Sequence, residues 1–322
     1  MTRQLTWLVT GCSSGIGEAF VRAILDKGDR VIATARPNKG VSGVDRLASL
    51  KEAGAATIEL DVLTPQEELN AKAKEAWAIY GQVDVLVNNA GYIEAGIFEE
   101  LDQPQRKKTM INSLRANVLG PLNFTRAFLP LMRTAKTGTL LFVGSLGIYY
   151  GALGANCYIG SKGLKEGLVP NLAVEVASFG IRTSILTFGN FRTEVMSPEN
   201  MKFGATNPQP EYEELNNLIK LGLSAQNKNQ PGDPRKACEL VIEAVRGEGR
   251  CAGNELPLRL PVGPDALACI RASCTEKLAL CDEWDAISSQ TDLTIRPEMS
   301  FHVQNAGGIF SIKPRNVNYV LS

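Results

Sequence analysis

The segment Leu5-Thr6-Trp7-Leu8-Val9-Thr10 runs directly into Gly11-Cys12-Ser13-Ser14-Gly15-Ile16-Gly17 and then into a helix-like stretch from Glu18 to Lys27. A strand, a glycine-rich turn and a helix in immediate succession leave the chain few folds to choose from. Glycines permit positive φ and close backbone approach, and the free N–H groups and dipole of the helix start favour a phosphate group. The spacing is Gly-x-x-x-Gly-x-Gly, not the commoner Gly-x-Gly-x-x-Gly of dinucleotide-binding turns. Glycines also end strands, so the loop taken alone reads equally as a structural turn.

Further strand-like runs follow at Arg30 to Ala35, Thr57 to Leu60, Val83 to Val87, Thr139 to Val143 and Arg182 to Thr187, separated by amphipathic stretches. This alternation predicts βαβ units and a parallel sheet covered by helices on both faces, an α/β doubly wound fold of Rossmann type. Gly28 is a natural terminator for the first helix. Thr64-Pro65-Gln66-Glu67 has capping-box spacing, predicting a helix from Pro65 towards Tyr80, and Pro104 is placed to start a long helix continuing past Asn117. At 322 residues and 44% hydrophobic, the chain has material for a sizeable core; length alone does not separate one large domain from two ordinary ones.

Tyr158 and Lys162 stand four apart in Tyr158-Ile159-Gly160-Ser161-Lys162, which puts them on one helix face, and Ser145 lies upstream at the end of an apolar strand. A free phenol titrates near ~10 and an ammonium near ~10.4, so a cation packed beside the ring favours phenolate and brings proton exchange closer to neutral pH. The Ser145 hydroxyl is then placed to hold a substrate oxygen. A Tyr and a Lys at this spacing also occur together by chance.

Thr10-Gly11-x-x-x-Gly15-Ile16-Gly17 together with Tyr158-x-x-x-Lys162 resembles the short-chain dehydrogenase/reductase family. Asn88-Asn89-Ala90-Gly91, Asn117 within Arg115-Ala116-Asn117-Val118-Leu119-Gly120, and Asp61-Val62 follow in the family's order, and the resemblance covers about residues 5–284. It implies a single dinucleotide-binding domain over residues 1–284, with a substrate lid at about 194–230 and a C-terminal extension over 285–322. It implies a ketone–secondary alcohol oxidoreductase in which Tyr158 donates the proton, Ser145 orients the substrate oxygen, Lys162 supports Tyr158 and binds the nicotinamide ribose, and Asn117 serves a water relay. Cofactor contacts implied are Gly11, Ser13, Ser14, Gly15, Ile16 and Gly17 in the loop, Asp61 and Val62 at the adenine edge, and Asn89, Ala90 and Gly91 on the adenosine side. Each has a plainer reading: Asp61 as a strand-end cap, the Asn-Asn-Ala-Gly run as a turn, and Asn117 as a partner for backbone groups in its own helix.

Phe188-Gly189-Asn190-Phe191-Arg192-Thr193 is similar to the family's Pro-Gly-x-x-x-Thr segment, so Gly189 and Thr193 are carried over as contacts near the carboxamide. Phe at 188 removes the fixed φ of proline and leaves the loop conformation open. Ala35-Arg36-Pro37 ends the second strand where an acidic residue would bind a ribose 2′-hydroxyl and repel a 2′-phosphate; Arg36 supplies a bidentate phosphate ligand instead, which predicts NADP(H). A solvated surface arginine is the alternative.

Met196, Met201, Phe203, Tyr212, Leu215, Leu218, Ile219 and Leu221 suggest either an amphipathic lid or a core-facing helix, and with Leu146-Gly147-Ile148-Tyr149-Tyr150 they suggest a bulky lipophilic substrate. Gly232-Asp233-Pro234-Arg235-Lys236-Ala237 and Leu256-Pro257-Leu258-Arg259-Leu260-Pro261 resemble microbial and fungal members, hinting at natural-product biosynthesis. Epimerisation or dehydration at the same site, or a non-catalytic NADP-binding regulator, are the competing classes.

With 34 basic and 34 acidic residues, nothing points to nucleic acid or an anionic membrane. Residues 137–161 carry no charge, but Gly144, Ser145, Gly147 and Asn156 suit a strand, a site loop and a helix start better than a membrane span. The N-terminus lacks signal-peptide character, so a cytoplasmic protein is expected, and a homo-oligomer is compatible with the family. The seven cysteines form no Cys-x-x-Cys pair and read as reduced thiols; Cys12 and Cys157 are candidates for oxidation, with packing the plainer role. His302 is the only histidine, which disfavours a zinc site or a Ser-His-Asp triad.

Overall fold

In the computed structural model the described residues are 3–101, 109–196, 201–203 and 209–291. Strands β1 (Thr6–Val9), β2 (Arg30–Ala35), β3 (Ala56–Glu59), β4 (Val85–Asn88), β6 (Gly138–Val143), β7 (Ile181–Phe188) and β9 (Arg259–Val262) form one sheet in the order β3-β2-β1-β4-β6-β7-β9, every pair parallel. A separate parallel pair joins β5 (Ile93–Ala95) to β8 (Met201–Phe203). The helices are α1 (Gly15–Asp26), α2 (Ala48–Glu52), α3 (Gln66–Tyr80), α4 (Thr109–Leu114), α5 (Gly120–Ala135), α6 (Asn156–Ala177), α7 (Glu213–Gln226), α8 (Pro234–Arg246) and α9 (Pro264–Ser288).

Strand alternation sorts the core into two layers. Trp7 and Val9 pack with Phe20, Ile24, Leu141, Leu186 and Val241 beneath α1 and α8. Leu8 faces the other way, with Leu86, Phe124, Phe128, Phe142 and Val169 beneath α5 and α6. Each such side chain contributes about 1.5–3 kcal/mol by leaving water. Asp29 is 5 % exposed and bonded to Trp7 Nε1, the Leu5 N–H and the Arg246 guanidinium, tying α8 to the β1 end of the sheet. Strand order reverses between β1 and β4, which opens a crevice at their carboxyl ends.

The doubly wound parallel sheet is as expected from the sequence, and Gly28, at φ +82°, follows the end of α1. The capping box does not form. α3 begins at Gln66 with Pro65 as its cap, because the Thr64 hydroxyl donates to Asp61 O instead of the helix. β9 escaped notice because Pro261 reads against a strand; it is tolerated on the last strand of the sheet, where a ladder N–H is dispensable. α9 continues through position 284 to Ser288. Pro104, His302 and residues 292–322 lie outside the described residues.

Candidate active site

The glycine loop takes the shape that its glycines allow. Gly11 and Gly15 have φ of +72° and +63°, and a Cβ on Gly11 would fall 2.9 Å from Ala90 Cα. A Cβ on Gly17 would strike Gly11 O and Asn89 Nδ2; this glycine brings α1 against the loop and is not part of the cleft wall. Ser14 caps α1 in extended conformation without a side-chain cap bond. Asn89 Nδ2 donates to Thr10 O (2.8 Å) and Gly11 O (3.1 Å), while Thr10 Oγ1 accepts the N–H groups of Asn89 and Ala90. The Asn-Asn-Ala-Gly run is therefore the staple that sets the loop.

A cleft of about 870 Å³ opens over this staple. Its walls include Gly11, Ser13, Ser14, Gly15, Ile16, Arg36, Asp61, Val62, Asn89, Ala90 and Gly91, and further along Ser145, Tyr158, Lys162, Gly189 and Thr193. Asp61 lines the cleft and also serves as a local cap, its Oδ1 accepting from Leu63 N at 2.9 Å. Arg46 and Lys39 join Arg36 at this end, and sequence reasoning missed both. Arg46 donates to Ser13 Oγ (2.9 Å) and Arg36 O (2.8 Å), and partial burial followed by repulsion from Arg36 pulls its guanidinium below the ordinary arginine range. An anion between the cations would relieve that strain. A glycine cradle too tight for side chains at the start of a helix fits the pyrophosphate of a dinucleotide.

At the other end, Ser145 follows β6 and accepts from Gly147 N at 3.2 Å. Tyr158 and Lys162 rise from the first turns of α6, with Lys162 Nζ 5.4 Å from the Tyr158 ring centroid and 2.9 Å from Val143 O. The ammonium thus lies where negative charge on the phenol oxygen would be attracted.

Asn117 bonds backbone groups beyond its own helix. It sits in a π-helical turn, Arg115–Leu119, between α4 and α5, fully buried and outside the cleft wall. Its Oδ1 accepts from Tyr92 N (2.9 Å) and its Nδ2 donates to Tyr92 O (3.0 Å) and Ser161 Oγ (3.0 Å). The side chain satisfies the backbone just before β5 and ties it to α6, and its Nδ2 also reaches Ser113 Oγ of α4 at 3.4 Å.

Phe188, standing where the family has proline, meets Phe20 and Phe191 edge-on, with centroids 6.3 and 5.4 Å away. Aromatic packing replaces the missing φ lock. A Cβ at Gly189 would collide with the Asp265 carboxylate, which also takes the Asn190 N–H at 2.7 Å.

Among the described residues the charged members of the wall are Arg36, Lys39, Arg46, Asp61 and Lys162, so beyond Lys162 the described lining is neutral, with Tyr92, Tyr150, Leu153, Met196, Leu218 and Leu223 prominent. α7 borders this half. Its core-facing reading fails: Asn216 and Ile219 are its buried residues, while Leu218 is 50 % and Leu221 67 % exposed. Buried Glu100 accepts from Asn216 Nδ2 (3.1 and 2.9 Å) and Gln209 N (2.8 Å), fastening α7 beside β5. The Cys12 thiol is buried and pushed up to about 12, so packing is its role. Among the described residues no helix is long and apolar enough to cross a membrane, and no group of three or more His, Cys, Asp or Glu gathers as a metal site.

Fold and site together define an oxidoreductase that works on CH–OH and C=O groups with a nicotinamide cofactor. A sequence model described as short chain dehydrogenase matches residues 6–202. The chain is 32 % identical over 284 residues to the oxidoreductase BOA17 of Botryotinia fuckeliana, covering 88 % of this chain and 97 % of that one. A short-chain dehydrogenase structure from Streptomyces avermitilis is 34 % identical with a TM-score of 0.74, covering 90 % of this chain and all of that one. An actinorhodin polyketide ketoreductase variant solved with NADPH is 27 % identical with a TM-score of 0.60, covering 80 % of this chain and 95 % of that one. The protein belongs to the short-chain dehydrogenase/reductase family.

Proposed function

We propose that this enzyme interconverts a bulky, uncharged, lipophilic ketone and its secondary alcohol with NADP(H). The observation that carries the reading is the polarity of one cleft among the described residues: three cations at its far end, the Ser145–Tyr158–Lys162 group midway, and a neutral apolar and aromatic wall beyond. The similarity to a polyketide ketoreductase solved with NADPH supports a natural-product substrate.

In this reading Gly11, Ser13, Ser14, Gly15 and Ile16 hold the pyrophosphate, Arg36 and Arg46 grip the 2′-phosphate, and Asp61, Val62, Asn89, Ala90 and Gly91 flank the adenosine half. Gly189 and Thr193 border the nicotinamide half. The bound cofactor supplies or accepts a hydride. Ser145 Oγ orients the substrate oxygen, and Tyr158 gives that oxygen a proton during reduction or takes one during oxidation. Lys162 holds positive charge beside the ring and donates to the ribose. Asn117, with its side chain committed to Tyr92 and Ser161, acts by fixing the helix turn and β5 at the edge of the site.

The test is a panel of neutral bicyclic ketones and alcohols, beginning with α-tetralone and α-tetralol, assayed with NADPH or NADP and with NADH or NAD by reduced-nicotinamide absorbance. Turnover favouring the phosphorylated cofactor supports the proposal. Product formation without net cofactor change, or cofactor binding without turnover across the panel, would reject it.

A further inference from the structure

Lys165 stands one helical turn beyond Lys162 on α6 and has no part in the chemistry assigned above. Its side chain is 2 % exposed, and its Nζ donates to Val143 O at 2.7 Å, the same carbonyl that takes Lys162 Nζ at 2.9 Å. Two amines converge on one oxygen immediately before Gly144 and Ser145. No carboxylate compensates Lys165 by a salt bridge among the described residues. The neighbouring Glu166 accepts at Oε2 from Arg259 Nε at 2.7 Å, and its buried Oε1 has no hydrogen-bond partner among the described residues. The charges acting on Lys165 are Lys162 and Glu166 of its own helix; from the packed elements, Tyr149 in the turn after Ser145 and Arg259 of β9 face Glu166.

A lysine enclosed without a counter-ion sheds its charge. Burial pushes the Lys165 amine well below the ordinary lysine range, and adjacent Lys162 pushes it further, with Glu166 opposing. An ammonium has donors only, whereas an uncharged amine keeps a lone pair. Lys162 and Lys165 each direct an N–H to Val143 O, at 2.9 and 2.7 Å, which brings the two nitrogens together around one carbonyl.

We propose that Lys165 is a positioning residue for the reaction: as a neutral amine it donates to Val143 O and accepts a hydrogen bond from Lys162, fixing the Lys162 ammonium beside Tyr158. The proposal rests on the reading of Tyr158 and Lys162 as the proton-transfer pair. Val143 O and the Lys165 nitrogen together take two N–H bonds of Lys162, leaving its third for the ribose. Tyr158 then faces a fixed charge rather than a mobile one.

The experiment uses the full chain with isotope-labelled lysine Nζ nitrogens and nitrogen NMR near neutral pH. Lys162 and Lys165 are the buried lysines among the described residues. One neutral-amine resonance is expected in the wild type and its loss in Lys165→Met, whose unbranched side chain fills the same space without a nitrogen. Finding only ammonium resonances in the wild type overturns the proposal without any variant. In parallel, the pH–rate profile of α-tetralol oxidation by Lys165→Met should move by about one pH unit to the alkaline side, with kcat lowered roughly tenfold. A profile superimposable on the wild type's overturns it. Tyr158→Phe separates the two readings. If that variant keeps its turnover, the proton-transfer reading fails, whereas its inactivity beside an unmoved Lys165→Met profile defeats this proposal alone.

Discussion

Arg46 NH2 donates to Ser13 Oγ at 2.9 Å, joining a cation after β2 to a serine of the glycine loop. The bond sets a guanidinium beside Arg36, where the ribose end of a dinucleotide would lie in the cleft proposed here. Replacing Arg46 by Ala should weaken NADPH binding about tenfold to a hundredfold, the range for a charge-assisted hydrogen bond, and leave NADH binding within about twofold. Calorimetric titration with both cofactors checks this; equal losses would mean that Arg46 only braces the loop.

Tyr158→Phe removes one oxygen and leaves the ring beside Lys162. NADPH affinity should stay within about twofold, while kcat falls at least about a hundredfold, as for loss of a general acid. Fluorescence titration and steady-state rates, measured on the same preparation, separate binding from chemistry.

Gly11→Ala places a methyl 2.9 Å from Ala90 Cα at a φ of +72°. The expected destabilisation is about 1–3 kcal/mol, with weaker cofactor binding because the Thr10–Asn89 staple must shift. Urea unfolding gives the first quantity. A variant as stable as the wild type would show that the loop has room to relax.

Lys165 also makes stability depend on pH. Its amine is held well below the ordinary lysine value in the folded protein, so at intermediate pH the unfolded chain binds a proton that the folded chain does not. Stability therefore rises with pH between the folded and unfolded values and is lost on acidification through that window, with a limiting slope of about 1.4 kcal/mol per pH unit. Subtracting the Lys165→Met unfolding curve from that of the wild type between neutral and mildly alkaline pH should isolate this slope. A flat difference would mean that Lys165 is charged when folded.

The strands were legible where apolar runs were long and bounded by glycine, as at β1, β6 and β7. β5 and β8 were not, because three-residue strands carry too little pattern. The catalytic spacing of Tyr158 and Lys162 is local and was read directly. Arg46 was missed because its link to Ser13 depends on the turn after β2, across a separation of 33 residues. Thr64 looked like a cap, and only the structure shows Asp61 O capturing its hydroxyl. Asn117 was placed correctly in a helix, but the π turn that aims its amide at Tyr92 leaves no mark on residue spacing.

Glu100 anchors the helix that borders the neutral half of the cleft. Moving α7 away from Glu100 would strip this carboxyl group of its bonds from Asn216 and Gln209 in a place that water scarcely reaches, a cost that holds the helix in position. The hold on α7 is thus polar at its buried centre, while Leu218 and Leu221 stay exposed.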